Sequence, residues 1–206
     1  VKDYPYRKVW RVAVDREVFY LKFYPEKANR WRRIGHGGSL AMREFLRLQW
    51  LQKAGVPSAR AHSVLMGLNI NGERGDAVLI EAIEPSINLL DLVVDAHMRG
   101  TDVPNHRQLV LQMIDLLKAM GRAGLGHDDL HIGNFLVREG KLYLIDAYPV
   151  HKRGILMKDV EALAGSASGF VTRTDLQRGW NELGPGGKLP ARNKAAARAV
   201  RKQMKR

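Results

Sequence analysis

At 206 residues, 45% hydrophobic and 27% charged, the chain is long and apolar enough to bury a core as one small globular unit. It has no cysteine, which excludes disulfides and a thiolate zinc site and suits a reducing cytoplasm, and no apolar run reaches the ~18 residues of a membrane span. The formal net charge of +13 is uneven: residues 188–206 hold eight of the cations and no acid, a composition that attracts polyanions.

In chain order, Val9 to Val14 and Val18 to Tyr24 are β-branched and aromatic runs separated by Asp15-Arg16, which predicts a hairpin with Lys22 inside its second strand. A strand lysine is ordinarily solvated, so Lys22 becomes a candidate for binding nucleotide phosphates only if it has a partner. Gly35-His36-Gly37-Gly38 reads as a flexible entry to the next helix. That helix is expected from about Leu40 to Ala54, capped by Ser39 and closed by Gly55, with Ala41, Phe45, Leu48 and Leu51 on its apolar face. Glu44, one turn before Leu48, is the expected partner of Lys22, while Arg43 and Arg47 mark a solvated side.

Ala77 to Ile80 predicts another strand, and Glu81-Ala82-Ile83-Glu84-Pro85 after it resembles a hinge whose backbone, at Glu81 and Ile83, receives an adenine. A helix follows from about Asn88 to Met98, then a polar loop around Thr101 to Pro104. Leu109, Met113, Leu116, Leu117 and Met120 repeat at helical spacing within a segment from His106 to Arg122, a stripe expected to be core.

That helix leads into GHDDLHIGNFLVREGKLYLID, from Gly126 to Asp146. His127-Asp128-Asp129-Leu130 with Asn134 matches H-x-D-L-x-x-x-N, in which the aspartate takes the attacking hydroxyl's proton and the asparagine holds Mg²⁺. Asp129 and Asn134 are the candidates for those roles, with His127 as structural support. Phe135 to Val137 and Leu142 to Ile145 predict two strands around a turn at Glu139-Gly140, so that Asp146 emerges where the second strand ends and joins Asn134 as a metal ligand.

Lys22 in FYLKFY, Glu44 in MREFLRLQWLQKAGVPSAR, GRAGLGHDDLHIGNFLV, Asp146 in LYLIDAYPV, LMKDVEALAGSA and TRTDLQRGWNELG together resemble the lipopolysaccharide kinase (Kdo/WaaP) family over nearly the whole chain. The resemblance implies an α+β, two-lobed protein-kinase-like fold, with a small antiparallel N-terminal sheet carrying one helix and a mainly helical C-terminal lobe. It implies ATP and Mg²⁺ as cofactors and a sugar of the lipopolysaccharide inner core, Kdo or heptose, as acceptor. Lys22 would then position the phosphates, Glu44 orient Lys22, Asp129 act as the catalytic aspartate, Asn134 and Asp146 hold Mg²⁺, and Asp159 in KDVEAL anchor the catalytic loop from a following helix.

Three departures accompany the resemblance. Residue 128 is aspartate where relatives commonly have glycine, which adds a charge beside Asp129. Asp146 is followed by Ala147-Tyr148 rather than Phe-Gly. No glycine-rich phosphate loop is evident in the first ten residues, and the first residue is Val1, as in a processed or truncated product. The expected organisation is an N-terminal nucleotide-binding lobe over 1–83, a catalytic lobe over 84–187 and a basic tail over 188–206. The tail is expected to meet an anionic membrane face, ahead of nucleic acid, and the protein to be cytoplasmic and peripheral on the inner membrane. Two alternatives share these residues: another kinase-fold phosphotransferase acting on a small molecule or protein hydroxyl, and a non-catalytic basic binding module.

Overall fold

The computed structural model describes residues 2–4, 6–35, 38–155, 157–167, 170–171 and 175. The chain divides into two compact units, Val1–Lys53 with Ser58–Glu84, and Ala54–Pro57 with Pro85–Arg206. The 188–206 tail and most of TRTDLQRGWNELG lie outside the described residues.

The first unit runs β1 (Lys2–Tyr4), β2 (Arg7–Val14), β3 (Glu17–Pro25), α1 (Glu26–Gly35), α2 (Leu40–Lys53), β4 (Ala61–Ile70) and β5 (Glu73–Glu81). Its strands form one antiparallel sheet in the order β1-β2-β3-β5-β4. The expected hairpin is β2–β3, which turns at Asp15 with φ 53° and pairs Trp10 with Leu21. Only Pro5 and Tyr6 separate β1 from β2, so no glycine-rich segment connects them.

The predicted helix is α2, whose first turn is capped by Ser39 Oγ accepting the Met42 N–H at 3.3 Å. It packs on β3, β4 and β5, and its Leu40, Ala41, Leu48 and Leu51 are buried there. Arg43 and Arg47 are half-buried, and the solvated side is marked instead by Met42 and Leu46.

This unit carries two helices, where the sequence predicted one. α1 has no apolar stripe to betray it: the buried residue in its middle is Asn29, whose Nδ2 donates to the carbonyls of Pro25 and Tyr6, both at 2.8 Å. A buried polar side chain must be hydrogen-bonded, and here that requirement fastens the helix. Gly35 therefore ends α1 instead of opening the way to α2. Strand β4 was also unexpected, because register shifts at Ala61/Ser63 and Leu65/Leu68 break its alternation. Its signal was nonetheless in the sequence, since Asn71-Gly72, at φ 52° and 80°, is a two-residue hairpin turn.

The second unit runs β6 (Ile87–Asn88), α3 (Leu89–Arg99), α4 (His106–Arg122), β7 (Gly126–His127), a 3₁₀ turn (Ile132–Asn134), β8 (Phe135–Arg138), β9 (Lys141–Leu144), β10 (Val150–His151) and α5 (Met157–Ser166). Two small antiparallel sheets, β6-β8-β9 and β7-β10, accompany the helices. The stripe Leu109, Met113, Leu116, Leu117 and Met120 of α4 is buried, as expected of core. Between its rungs, Gln112 donates from Nε2 to the Gly140 carbonyl and accepts the Leu142 N–H, both at 2.8 Å. One polar side chain thus fixes the turn of the β8–β9 hairpin to α4. Among the described residues no helix is long and apolar enough to cross a membrane.

Candidate active site

In the first unit β3 places Lys22 and Tyr24 on the same side of the sheet, because side chains two apart along a strand share a face. α2 lays Glu44 against both. Glu44 is fully buried, its Oε1 lies 2.5 Å from Lys22 Nζ, and its Oε2 accepts from the Tyr24 hydroxyl. Lys22 keeps 14% of its side chain exposed, so the pair is sheltered while the ammonium retains access to a ligand. A buried carboxylate is costly unless both oxygens are engaged, which Lys22 and Tyr24 achieve. The sequence paired Glu44 with Lys22; Tyr24 was missed, although it sits two residues from Lys22.

At the far end of β5 the Glu81 N–H donates to the Arg60 carbonyl at 2.8 Å, the Ala82 N–H donates to that of Val18 at 2.9 Å, and Ile83 is buried. The neighbouring Glu84 accepts from Arg11 Nη2 at 2.7 Å and from the Tyr20 hydroxyl at 2.8 Å. Hydrogen bonds from Arg11 and then Tyr20 hold the Glu84 carboxyl below its ordinary range. Burial, followed by the bond to Glu84, raises the Tyr20 phenol.

In the second unit the catalytic-loop segment is organised around His127, which has no exposed surface. Its Nδ1 accepts the Asp129 N–H at 3.2 Å and its Nε2 donates to the Asp146 carbonyl at 2.7 Å. These two bonds define a neutral imidazole, and burial, opposed by the Asp146 carbonyl and by the charges of Asp146, Asp129 and Asp159, keeps it below the ordinary histidine range. One ring therefore ties the backbone of Asp129 to that of Asp146, across 16 intervening residues.

Asn134 closes the other side. Its Nδ2 donates to the Asp129 carbonyl at 2.7 Å, and its own carbonyl accepts the Ile145 N–H at 3.0 Å. With the amide nitrogen so engaged, the amide oxygen is the atom left to face a cation. Asp146 is half-buried, and its Oδ1 accepts the Tyr148 N–H at 3.2 Å, so Ala147-Tyr148 forms a turn capped by the aspartate itself. The Asp129 carboxylate is 68% exposed. The structure thus gathers Asp129, Asn134 and Asp146 through backbone links and leaves the Asp129 carboxylate open to solvent.

Asp159 on α5 is buried and its charge acts on His127. A contact that the sequence did not suggest comes from the other end of α5, where Ser166 Oγ accepts the Ile132 N–H at 3.1 Å. Asn88, the N-cap of α3, donates to the Gly133 carbonyl at 2.7 Å. The 3₁₀ turn is held from both helices.

Asp128 turns away from Asp129. Arg153 Nη2 donates to its two oxygens at 3.1 and 3.0 Å, and His151 Nε2 lies 3.4 Å from Oδ1. The added charge is compensated beside the loop, and the basic stretch His151-Lys152-Arg153 is partly occupied by this contact. Gly126 makes it possible: a Cβ there would stand 2.1 Å from the Gly154 carbonyl oxygen and 2.3 Å from the His151 ring.

Among the described residues no group of three or more His, Cys, Asp or Glu side chains could hold a metal alone. Two oxygens, from Asn134 and Asp146, suit Mg²⁺, which takes few protein ligands and completes its octahedron with water and phosphate.

WaaP in complex with acyl carrier protein shares the fold, with a TM-score of 0.71 at 20% identity over 100% of this chain and 86% of that one. No curated protein matches the sequence. A family model places the chain among kinases: the description is lipopolysaccharide kinase (Kdo/WaaP) family and the match spans residues 9–163. The chain belongs to the lipopolysaccharide kinase (Kdo/WaaP) family.

Proposed function

We propose that the protein transfers the γ-phosphoryl group of ATP to a hydroxyl of a lipopolysaccharide inner-core sugar, Kdo or heptose. The observation that carries this reading is the His127-centred loop, which ties together the backbones of Asp129 and Asp146 and the Asn134 amide while leaving the Asp129 carboxylate exposed. Membership of a lipopolysaccharide kinase family supports the acceptor class.

In this reading Lys22, oriented by Glu44 and Tyr24, contacts the nucleotide phosphates, and the backbone at Glu81 and Ile83 receives the adenine. Asn134 and Asp146 hold Mg²⁺, which when bound neutralises phosphate charge and fixes phosphate geometry. Asp129 aligns the acceptor hydroxyl and takes its proton as the new O–P bond forms. His127 and Asp159 keep Asp129 in place. The protein would work in the cytoplasm at the inner-membrane face, with the 188–206 tail drawn to anionic lipid.

The test is incubation of the purified protein with Mg-ATP and truncated lipopolysaccharide cores, with mass spectrometry of the product. One added phosphate on Kdo or heptose is expected. ATP turnover only with a different hydroxyl would move the acceptor elsewhere, and Mg-ATP binding without turnover would favour a non-catalytic module.

A further inference from the structure

His131 has no part in the reading above, yet its ring stands beside the Asp129 carboxylate. It is the N-cap of the 3₁₀ turn, and its Nδ1 accepts the Gly133 N–H at 3.1 Å. That bond settles the tautomer: with Nδ1 accepting, the proton resides on Nε2. Nε2 lies 3.8 Å from Asp129 Oδ2, too far for a hydrogen bond, so the N–H is not consumed by the carboxylate. The ring keeps 41% exposure and the Asp129 side chain 68%, so both open to the same solvent.

Its position is enforced. A Cβ on Gly133 would lie 2.9 Å from His131 Nδ1 and 3.0 Å from Cε1, so only glycine lets the ring sit down on the turn. The turn is itself held by Asn88 through the Gly133 carbonyl and by Ser166 through the Ile132 N–H. A cap needs only an acceptor oxygen, which serine, threonine, asparagine or aspartate would supply. An imidazole adds a second, outward donor that the cap does not use.

We propose that His131 is a catalytic residue whose Nε2–H donates to a non-bridging oxygen of the phosphoryl group in flight above Asp129. The proposal rests on the phosphotransfer reading. As the acceptor oxygen bonds to phosphorus and the bond from phosphorus to the bridging oxygen of ADP breaks, ADP leaves with the electron pair and Asp129 takes the hydroxyl proton. His131 keeps its own proton throughout and supplies a fixed dipole where charge sits on the phosphoryl oxygens.

Two variants separate this role from capping. His131→Asn preserves an acceptor for the Gly133 N–H and loses the distal donor; His131→Gln preserves a donor near the Nε2 position and weakens the cap. Losing one such donor is expected to lower kcat about 10²-fold in the Asn variant, with the Gln variant recovering most of that loss and KM for ATP moving little in both. Calorimetry gives a second readout: the wild type should bind Mg-ADP with aluminium fluoride, a mimic of the phosphoryl in flight, more tightly than Mg-ADP alone. His131→Asn should lose about tenfold of that preference with Mg-ADP affinity unchanged. A fully active Asn variant beside an impaired Gln variant would reduce His131 to a cap and overturn the proposal. So would a His131→Asn variant that keeps the wild-type preference for aluminium fluoride. A wild type with no such preference and no phosphorylated product would instead overturn the phosphotransfer reading as well.

Discussion

The Lys22–Glu44–Tyr24 cluster and the Asp129 loop solve opposite problems. In the first, charged groups are buried against a sheet, and each holds the other: Glu44 has no exposed surface and Lys22 14%. In the second, the carboxylate proposed to react, that of Asp129, is 68% exposed, and its position is enforced by a neutral buried histidine and an asparagine that bind its backbone. Where the functional group is also part of the core, function and stability fall together; where the scaffold is a separate set of residues, they come apart.

The sharpest way to separate them is Asp129→Asn. Loss of the proton acceptor should lower phosphotransfer by about 10³-fold, within the range typical of general-base removal. Because His127 and Asn134 grip only the backbone at 129, the melting temperature and Mg-ATP affinity should hardly move. A variant that loses its fold would show that the Asp129 side chain is structural after all.

Lys22→Ala should behave in the contrary way. It strands the Glu44 carboxylate in the core with Tyr24 alone, and removing one member of a buried pair costs about 3 kcal/mol. Urea denaturation should register that loss, and Mg-ATP binding should weaken as well. Lys22→Ala together with Glu44→Leu should recover much of the stability and none of the nucleotide affinity. Full stability in the single variant would remove the contrast.

The smallest effect belongs to His127. In the unfolded chain its imidazole takes up a proton near the ordinary 6.5, whereas the folded protein resists until a lower pH. Below about pH 6.5 the unfolded state therefore binds more protons, and stability, fully present above that value, declines as pH falls toward the folded value. Each pH unit in that window amounts to at most about 1.4 kcal/mol. Melting temperatures of wild type and His127→Gln, without Mg²⁺ or nucleotide, should converge between pH 7.5 and 5.5. Parallel slopes would mean that the ring carries its proton in the native state.

Much of the molecule is legible in one dimension wherever the signal is local. The α4 stripe, the β2–β3 and β8–β9 hairpins, the Ser39 cap and the spacing from His127 to Asn134 each lie within a short window, where periodicity and turn chemistry act on neighbouring residues. Helix α1 escaped that kind of reading, because it is fastened by a buried Asn29 reaching back to Tyr6, and strand β4 because its bulges erase the period of two.

The sequence by itself named the candidates for the chemistry, Lys22, Glu44, Asp129, Asn134 and Asp146, and the motifs around them carry the resemblance to the family whose model matches residues 9–163. Only the tertiary structure decided the state of those groups. That Glu44 is buried with two partners, that Asp128 is turned to Arg153, that His127 is neutral and that His131 holds a donor beside Asp129 depend on which atoms meet across the fold. Burial and hydrogen-bond direction belong to three-dimensional neighbours, and no spacing along the chain encodes them.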